Sequence, residues 1–70
     1  KRTVLIKNAP GISDPVKIDR GVWLGYGVSV LKGVHIGEGA VIGAHSVVKE
    51  DVPEYAIAVG APARVIGYRE

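Results

Sequence analysis

Residues 18–53 read IDRGVW-LGYGVS-VLKGVH-IGEGAV-IGAHSV-VKEDVP, six consecutive six-residue blocks without insertion or deletion. The first positions are Ile18, Leu24, Val30, Ile36, Ile42 and Val48, all aliphatic. The fifth positions are Val22, Val28, Val34, Ala40, Ser46 and Val52, all small or β-branched. Neither a helical period nor simple strand alternation yields this pattern, and independent hairpins have no reason to keep it. A repeat this short marks a solenoid in which no block buries its apolar side chains without neighbours.

Three such blocks make a triangular coil of 18 residues, so residues 18 apart stack at about 4.8 Å, the spacing of hydrogen-bonded strands. The expected columns are Ile18 under Ile36, Leu24 under Ile42 and Val30 under Val48. Beside them, Val22 pairs with Ala40, Val28 with Ser46 and Val34 with Val52. Gly21 stacks with Gly39 and Gly25 with Gly43 at corners that demand positive φ or close packing.

The frame extends backwards through ISDPVK, which puts Ile12 beneath Val30, and fails one block earlier, where Pro10 would point inward. The expected organisation is therefore a lead-in strand or loop over 1–11, repeat coils over 12–53, and a closing strand with a cap over 54–70. Val4-Leu5-Ile6 is a strand or extended arm. Glu54 to Val59 makes one further strand, Gly60-Ala61-Pro62 turns the chain, and Ala63 to Tyr68 closes the coil as a strand or helical turn. In this expectation Val65 and Ile66 cover the last coil while Arg64 and Arg69 face water.

Composition narrows the function. The chain has 70 residues, 47% hydrophobic and 23% charged, with a net charge of +2 and no basic run interleaved with aromatics, which argues against a nucleic-acid partner. It has no cysteine, so disulfides and thiolate chemistry are excluded and a reducing cytoplasm fits. No apolar run approaches the roughly 18 residues of a membrane span. A core this small, without disulfide or evident structural metal, needs its open edge covered, either by upstream coils or by oligomer contacts. The first residue is Lys1, as in a fragment or processed product.

Three outward features stand out. Trp23 ends its block beside Leu24-Gly25-Tyr26-Gly27, and an exposed aromatic pair on a face of Gly and Ser suggests a contact surface. His35 and His45 are candidates for general-base or metal chemistry, but they occupy different faces and should not converge within one chain, and no carboxylate pattern accompanies them. No metal site is expected.

From Gly21 to Gly67 the chain resembles the C-terminal part of the hexapeptide-repeat acyltransferases, which include maltose, galactoside, serine and polysaccharide O-acetyltransferases. The resemblance rests on Val22-Trp23-Leu24-Gly25, Gly33-Val34-His35-Ile36-Gly37, Ala40-Val41-Ile42-Gly43-Ala44, Asp51-Val52-Pro53 and Gly60-Ala61-Pro62-Ala63-Arg64-Val65-Ile66. It implies an all-β, left-handed parallel β-helix, assembled as a homotrimer with acetyl-coenzyme A bound in clefts between prisms. Tyr26 and Ala44 would line the cleft one coil apart, Trp23 would border its acetyl end, and Lys49, Glu50 and Arg64 would approach the nucleotide end. The family often has Thr-Lys before Asp-Val-Pro; here Lys49-Glu50 moves the cation by one residue, which in a strand reverses its direction. His45 stands where Gly is usual. The catalytic histidine of the family precedes the Val-Trp-Leu-Gly block, and no His precedes Val22, so no catalytic residue is assigned within these residues and the base is expected upstream of Lys1.

The implied activity is acetyl-coenzyme A-dependent O-acetylation of a sugar or polysaccharide hydroxyl, with this chain as the coenzyme-binding part. The alternative is a non-catalytic β-helix that serves trimerisation or assembly, since fold does not fix function. A metal-dependent hydratase on the same fold needs a histidine cluster that two separated histidines do not supply. An upstream His followed by a polar residue would favour the transferase.

Overall fold

Strand length follows from the repeat, because a six-residue block leaves about two residues for the ladder once the corner is turned. The computed structural model describes residues 4–7 and 14–69. Its strands are β1 (Val4–Lys7), β2 (Lys17–Ile18), β3 (Trp23–Leu24), β4 (Val28–Leu31), β5 (His35–Ile36), β6 (Val41–Ile42), β7 (Val47–Val48), β8 (Ala56–Gly60) and β9 (Ala63–Tyr68). They form three faces, ordered β1-β4-β7, β2-β5 and β3-β6-β8-β9. All pairs are parallel except the β8/β9 hairpin.

The register is the expected one in the regular coils. Ile18 lies against Ile36, Leu24 against Ile42 and Val30 against Val48. Trp23 N donates to Ala40 O at 2.8 Å, Gly25 N to Ile42 O at 2.8 Å and Ser29 N to Ser46 O at 2.9 Å, the even spacing of a parallel ladder. First- and fifth-position side chains form the core: Leu24, Val28, Val30, Val34, Ile36, Ala40, Ile42 and Val48 are buried, and Val52, Ala56 and Ala58 continue it. Ser46 is the one polar core residue among those described, and its Oγ accepts a 3.0 Å hydrogen bond from Gly60 N. That bond satisfies the hydroxyl where an aliphatic residue would otherwise stand.

Corners form at the fourth block position, where Gly21, Gly27, Gly33 and Gly39 take φ of 73°, 73°, 78° and 71°. In the fifth block this position is His45, with φ of 61°, and Tyr55 adopts 60° at a later corner.

The ladder departs from the simple frame at both ends. Beneath Val30 lies Ile6, 24 residues away instead of 18, so β1 belongs to the β4 face and the link from Lys7 to Lys17 is six residues longer than a regular corner. Ile12, expected at that place, is outside the described residues. An insertion of one whole block keeps the phase of the repeat, so periodicity alone cannot distinguish Ile6 from Ile12.

After Val48 the coil shortens. Val52 bridges Ile36 rather than stacking on Val34, and Ile42 pairs with Ala58, both 16 residues apart. The missing backbone has a substitute. Lower in the prism Lys17 N donates to Val34 O at 3.0 Å; one coil up, His35 N donates to the Asp51 carboxylate at 2.9 Å. Asp51 thus supplies a side-chain acceptor where the shortened corner has no carbonyl. Asp51→Ala is expected to lower stability by about 1–2 kcal/mol in urea titrations, because an amide loses a charged acceptor. Asp51→Asn, which keeps the oxygen, should recover more than half of that loss, and equal loss in both variants would contradict this role.

Above Ala56, the β8/β9 hairpin turns at a cis Ala61–Pro62 bond and closes the end. A bulge between Ile57 and Ala58 puts Val65 opposite buried Ala58, but Val65 and Ile66 are both exposed, at 42% and 66%, and neither covers the coil as expected. Arg69 does not simply face water: its Nη1 donates to Gly39 O at 2.8 Å and its backbone N to Tyr55 O at 2.7 Å. The guanidinium therefore fastens the closing strand to the corner below.

Candidate functional site

Pleat direction decides which side chains leave the prism. On the β3-β6-β8-β9 face, Leu24, Ile42 and Ala58 point inward, so Trp23, Val41 and Ile57 form an outward column with Gly67 at its end. Trp23 is exposed, while Val41 and Ile57 are half-buried. The next outward column begins with Gly25 and Gly43, continues through Val59, whose Cγ1 lies over Gly43, and ends at Arg64 opposite Val59. At the corner beyond it stand Tyr26 and Ala44, both exposed. His45 N donates to Tyr26 O at 2.8 Å, which locks this corner one coil above the other.

The result is a half-buried strip of small outward residues, Gly25, Gly43 and Val59, with exposed Trp23 and Tyr26 on either side of Gly25 along the chain. Both glycines are required by packing: a Cβ at Gly25 would lie 2.5 Å from Ala44 N, and one at Gly43 would lie 2.7 Å from Val59 Cγ1. Arg64 stands at the upper end of the strip, on the outermost strand. Tyr26 and Ala44 thus stand one coil apart, Trp23 heads the adjoining outward column, and Arg64 is three strands away from Trp23 on the same face. Lys49 is not on this face: it follows β7 at the far end of the adjoining face, and both it and Glu50 are exposed.

Two contacts were not anticipated from the sequence. The rings of Tyr26 and His45 meet edge to face, with centroids 5.8 Å apart and planes at 78°. On the β2/β5 face, His35 Nε2 and Asp19 Oδ2 are 2.9 Å apart, contrary to the expectation that His35 lacks a carboxylate neighbour. The coil spacing held the clue: Lys17 lies beneath His35, and Asp19 is the next outward residue on that strand's path, within diagonal reach. This pair is on a different face from the Tyr26 corner, and the two histidines stay apart as expected. An exposed ion pair joins Arg20 Nε to Glu38 Oε2 at 3.2 Å across the same 18-residue step. Among the described residues no group of three or more His, Cys, Asp or Glu is arranged to hold a metal ion. No helix among them is long and apolar enough to cross a membrane.

A triangular prism of six-residue faces, with short parallel ladders and glycine corners, defines the hexapeptide-repeat class. Residues 15–50 match the bacterial transferase hexapeptide (six repeats) family, and the chain belongs to it. Its fold is accordingly a left-handed parallel β-helix. The chain is 48% identical over 68 residues to a probable acetyltransferase of Mycobacterium tuberculosis, a match covering 97% of this chain and 23% of that protein. Among solved structures it is similar to a maltose O-acetyltransferase from Clostridium difficile 630, at 51% identity and a TM-score of 0.79, covering 81% of this chain and 30% of the other. A galactoside acetyltransferase in complex with coenzyme A matches at 45% identity and a TM-score of 0.78, covering 80% of this chain and 28% of the other. The chain thus spans about a quarter of the length of the curated relatives it matches, between 23% and 26%.

Proposed function

We propose that this chain forms the coenzyme-binding coils of an acetyl-coenzyme A-dependent O-acetyltransferase acting on a sugar or polysaccharide hydroxyl. The observation that carries the proposal is the outward Gly25–Gly43–Val59–Arg64 column with exposed Trp23 and Tyr26 beside it, on a chain similar to an acetyltransferase solved with coenzyme A. In this reading the coenzyme lies along the strip with its amides against the Ala44 corner, Trp23 beside the acetyl group, and Arg64 on a phosphate. Arginine suits that role because its planar fork matches phosphate oxygens. Lys49 reaches the nucleotide end from the adjoining face. The acceptor hydroxyl attacks the thioester carbonyl, its proton passes to a base, and coenzyme A leaves as the thiolate. Neither His35 nor His45 is assigned as that base.

The working form in this proposal is a homotrimer in the cytoplasm, with the strip facing a neighbouring prism. The exposed Trp23 and the half-buried Val41 and Ile57 support contact along that side. The same apolar column is what favours the second reading, a non-catalytic assembly module.

Arg64→Ala in the intact protein is the direct test. Loss of a charge-assisted phosphate contact should raise the coenzyme A dissociation constant about tenfold, corresponding to about 1.4 kcal/mol. Sedimentation should show the same oligomer. Unaltered affinity by calorimetry would remove Arg64 from the site, and no coenzyme binding by the unsubstituted protein would leave the assembly reading standing.

A further inference from the structure

The closing strand β9 is held to the prism by less than its length suggests. It is the outermost strand of its sheet and, among the described residues, pairs with β8 alone. Packing adds little: Val65, Ile66 and Tyr68 are 42%, 66% and 58% exposed, and no atom lies within 4 Å of where a Gly67 Cβ would stand. The register shift between Ile57 and Ala58 also divides the hairpin. On the turn side Ala58, Val59 and Gly60 face Val65, Arg64 and Ala63; beyond the shift, only Ile57 and Ala56 face Gly67 and Tyr68. A two-stranded ribbon with so little packing is marginal by itself.

Arg69 makes the attachment at the open end of this ribbon. Its backbone N donates to Tyr55 O at 2.7 Å, and its Nη1 reaches back 30 residues to donate to Gly39 O at 2.8 Å. Tyr55 and Gly39 are corners of successive coils, already joined where Tyr55 N donates to Glu38 O at 2.8 Å and the Tyr55 ring covers Gly39. Gly39 is buried, and a charged donor to its carbonyl is a strong tie. Arg69 thus fastens β9 to the prism below the hairpin, on the side where the ladder with β8 is shortest.

We propose that Arg69 is a positioning residue for coenzyme binding: it holds β9 against the prism so that Arg64, on the same strand, stays in line with the Gly25, Gly43 and Val59 column. The inference rests on the coenzyme reading above, in which Arg64 meets a phosphate. Arg69 acts through Arg64, because its own N and Nη1 are engaged by protein carbonyls. Without this fastening the Gly67–Tyr68 end opens first, and its motion reaches Arg64 across the shifted register. Coenzyme binding must then order the strand as well as the Arg64 side chain, and that ordering lowers affinity.

The test is a double-substitution cycle in the intact protein, read beside amide hydrogen exchange. Arg69→Ala keeps the backbone bond to Tyr55 O and loses only the tie to Gly39. It should raise the dissociation constant for coenzyme A about threefold, and Arg69→Lys, which keeps a charged donor, should recover part of that loss. In an Arg64→Ala background Arg69→Ala should cause no further loss, a coupling that a merely structural role would not produce. In the ligand-free protein the amides of Ala63–Tyr68 should exchange faster in Arg69→Ala, with those of β3, β4 and β6 unaltered. Unchanged coenzyme A affinity in Arg69→Ala would overturn the inference, leaving a fastening without consequence for binding. The same loss with Arg64 present or replaced would also overturn it, since Arg69 would then act by another route. Unaltered exchange in β9 would show that the strand needs no such tie. Unaltered affinity in Arg64→Ala alone would instead remove the phosphate contact on which the inference rests, and the exchange result separates that failure from a failure of the fastening.

Discussion

Ile42→Ala is expected to lower unfolding stability by about 3–4 kcal/mol, within the range measured for large-to-small changes at buried sites. Ile42 is 1% exposed and lies at the centre of the longest ladder, between Leu24 below and Ala58 above. Its buried neighbours along the chain are small, Ala40 on one side and Ser46 on the other, so Ile42 fills volume that they leave. Collapse into the vacated space is opposed by the backbone. Gly25 N donates to Ile42 O at 2.8 Å and Gly43 N to Ala58 O at 2.9 Å, and these bonds fix the separation of successive coils. A cavity therefore remains, and its cost adds to the lost transfer energy. Ile18→Ala is the comparison: Ile18 has the same frame position but is 37% exposed at the lower end of its column. It should cost less than half as much. Urea titration followed by circular dichroism measures both, and similar losses at the two positions would contradict a core concentrated in the middle coil.

That gradient also shows what periodicity reveals and what it conceals. A period of six with aliphatic first positions determines the inward columns, and Ile18/Ile36, Leu24/Ile42 and Val30/Val48 follow from it with no further information. It is insensitive to the insertion of a whole block, which is why Ile6 and Ile12 are equivalent in the frame although β1 pairs through Ile6. The shortening after Val48 is hidden for a different reason. Val52 keeps an aliphatic side chain in either register; its backbone bonds to His35 O and Gly37 N hold it on Ile36, while the Asp51 carboxylate takes up His35 N. A side chain acting as backbone leaves no periodic trace.

The candidate site divides in the same way. Trp23, Tyr26 and Ala44 are outward by frame, and the 18-residue step places Ala44 above Tyr26 and Val41 above Trp23. Arg64 comes to the same face only because β9 folds back antiparallel on β8. Lys49 is close to Ala44 along the chain yet separated from it by the whole β7 strand. Proximity in sequence is a poor guide where the backbone turns every six residues. The Tyr26–His45 contact and the Asp19–His35 pair are both inter-coil contacts between long side chains, whose meeting depends on rotamers as well as on register.

The close packing at Gly25 leads to the second large effect. Gly25→Ala should destabilise the protein by about 3 kcal/mol and weaken coenzyme A binding beyond what its stability loss explains. A Cβ at Gly25 would lie 2.5 Å from Ala44 N, 2.8 Å from Ala44 Cα and 3.0 Å from Gly43 C. These are backbone atoms of the coil above, so no side-chain rotation relieves the overlap. Relief requires separating the coils, which stretches the Gly25 N to Ile42 O bond and displaces the Ala44 corner where the coenzyme amides are proposed to rest. The defect is packing, not backbone strain, because Gly25 is not among the positive-φ glycines. Gly67→Ala provides the control on the same face: no atom lies within 4 Å of its added methyl, so its effect should stay within about 0.5 kcal/mol. Gly25→Ala behaving like Gly67→Ala would mean that the two coils can part at this corner without cost. The strip could then not hold a ligand against a rigid main chain, and the affinity of the proposed site would have to come from side chains alone.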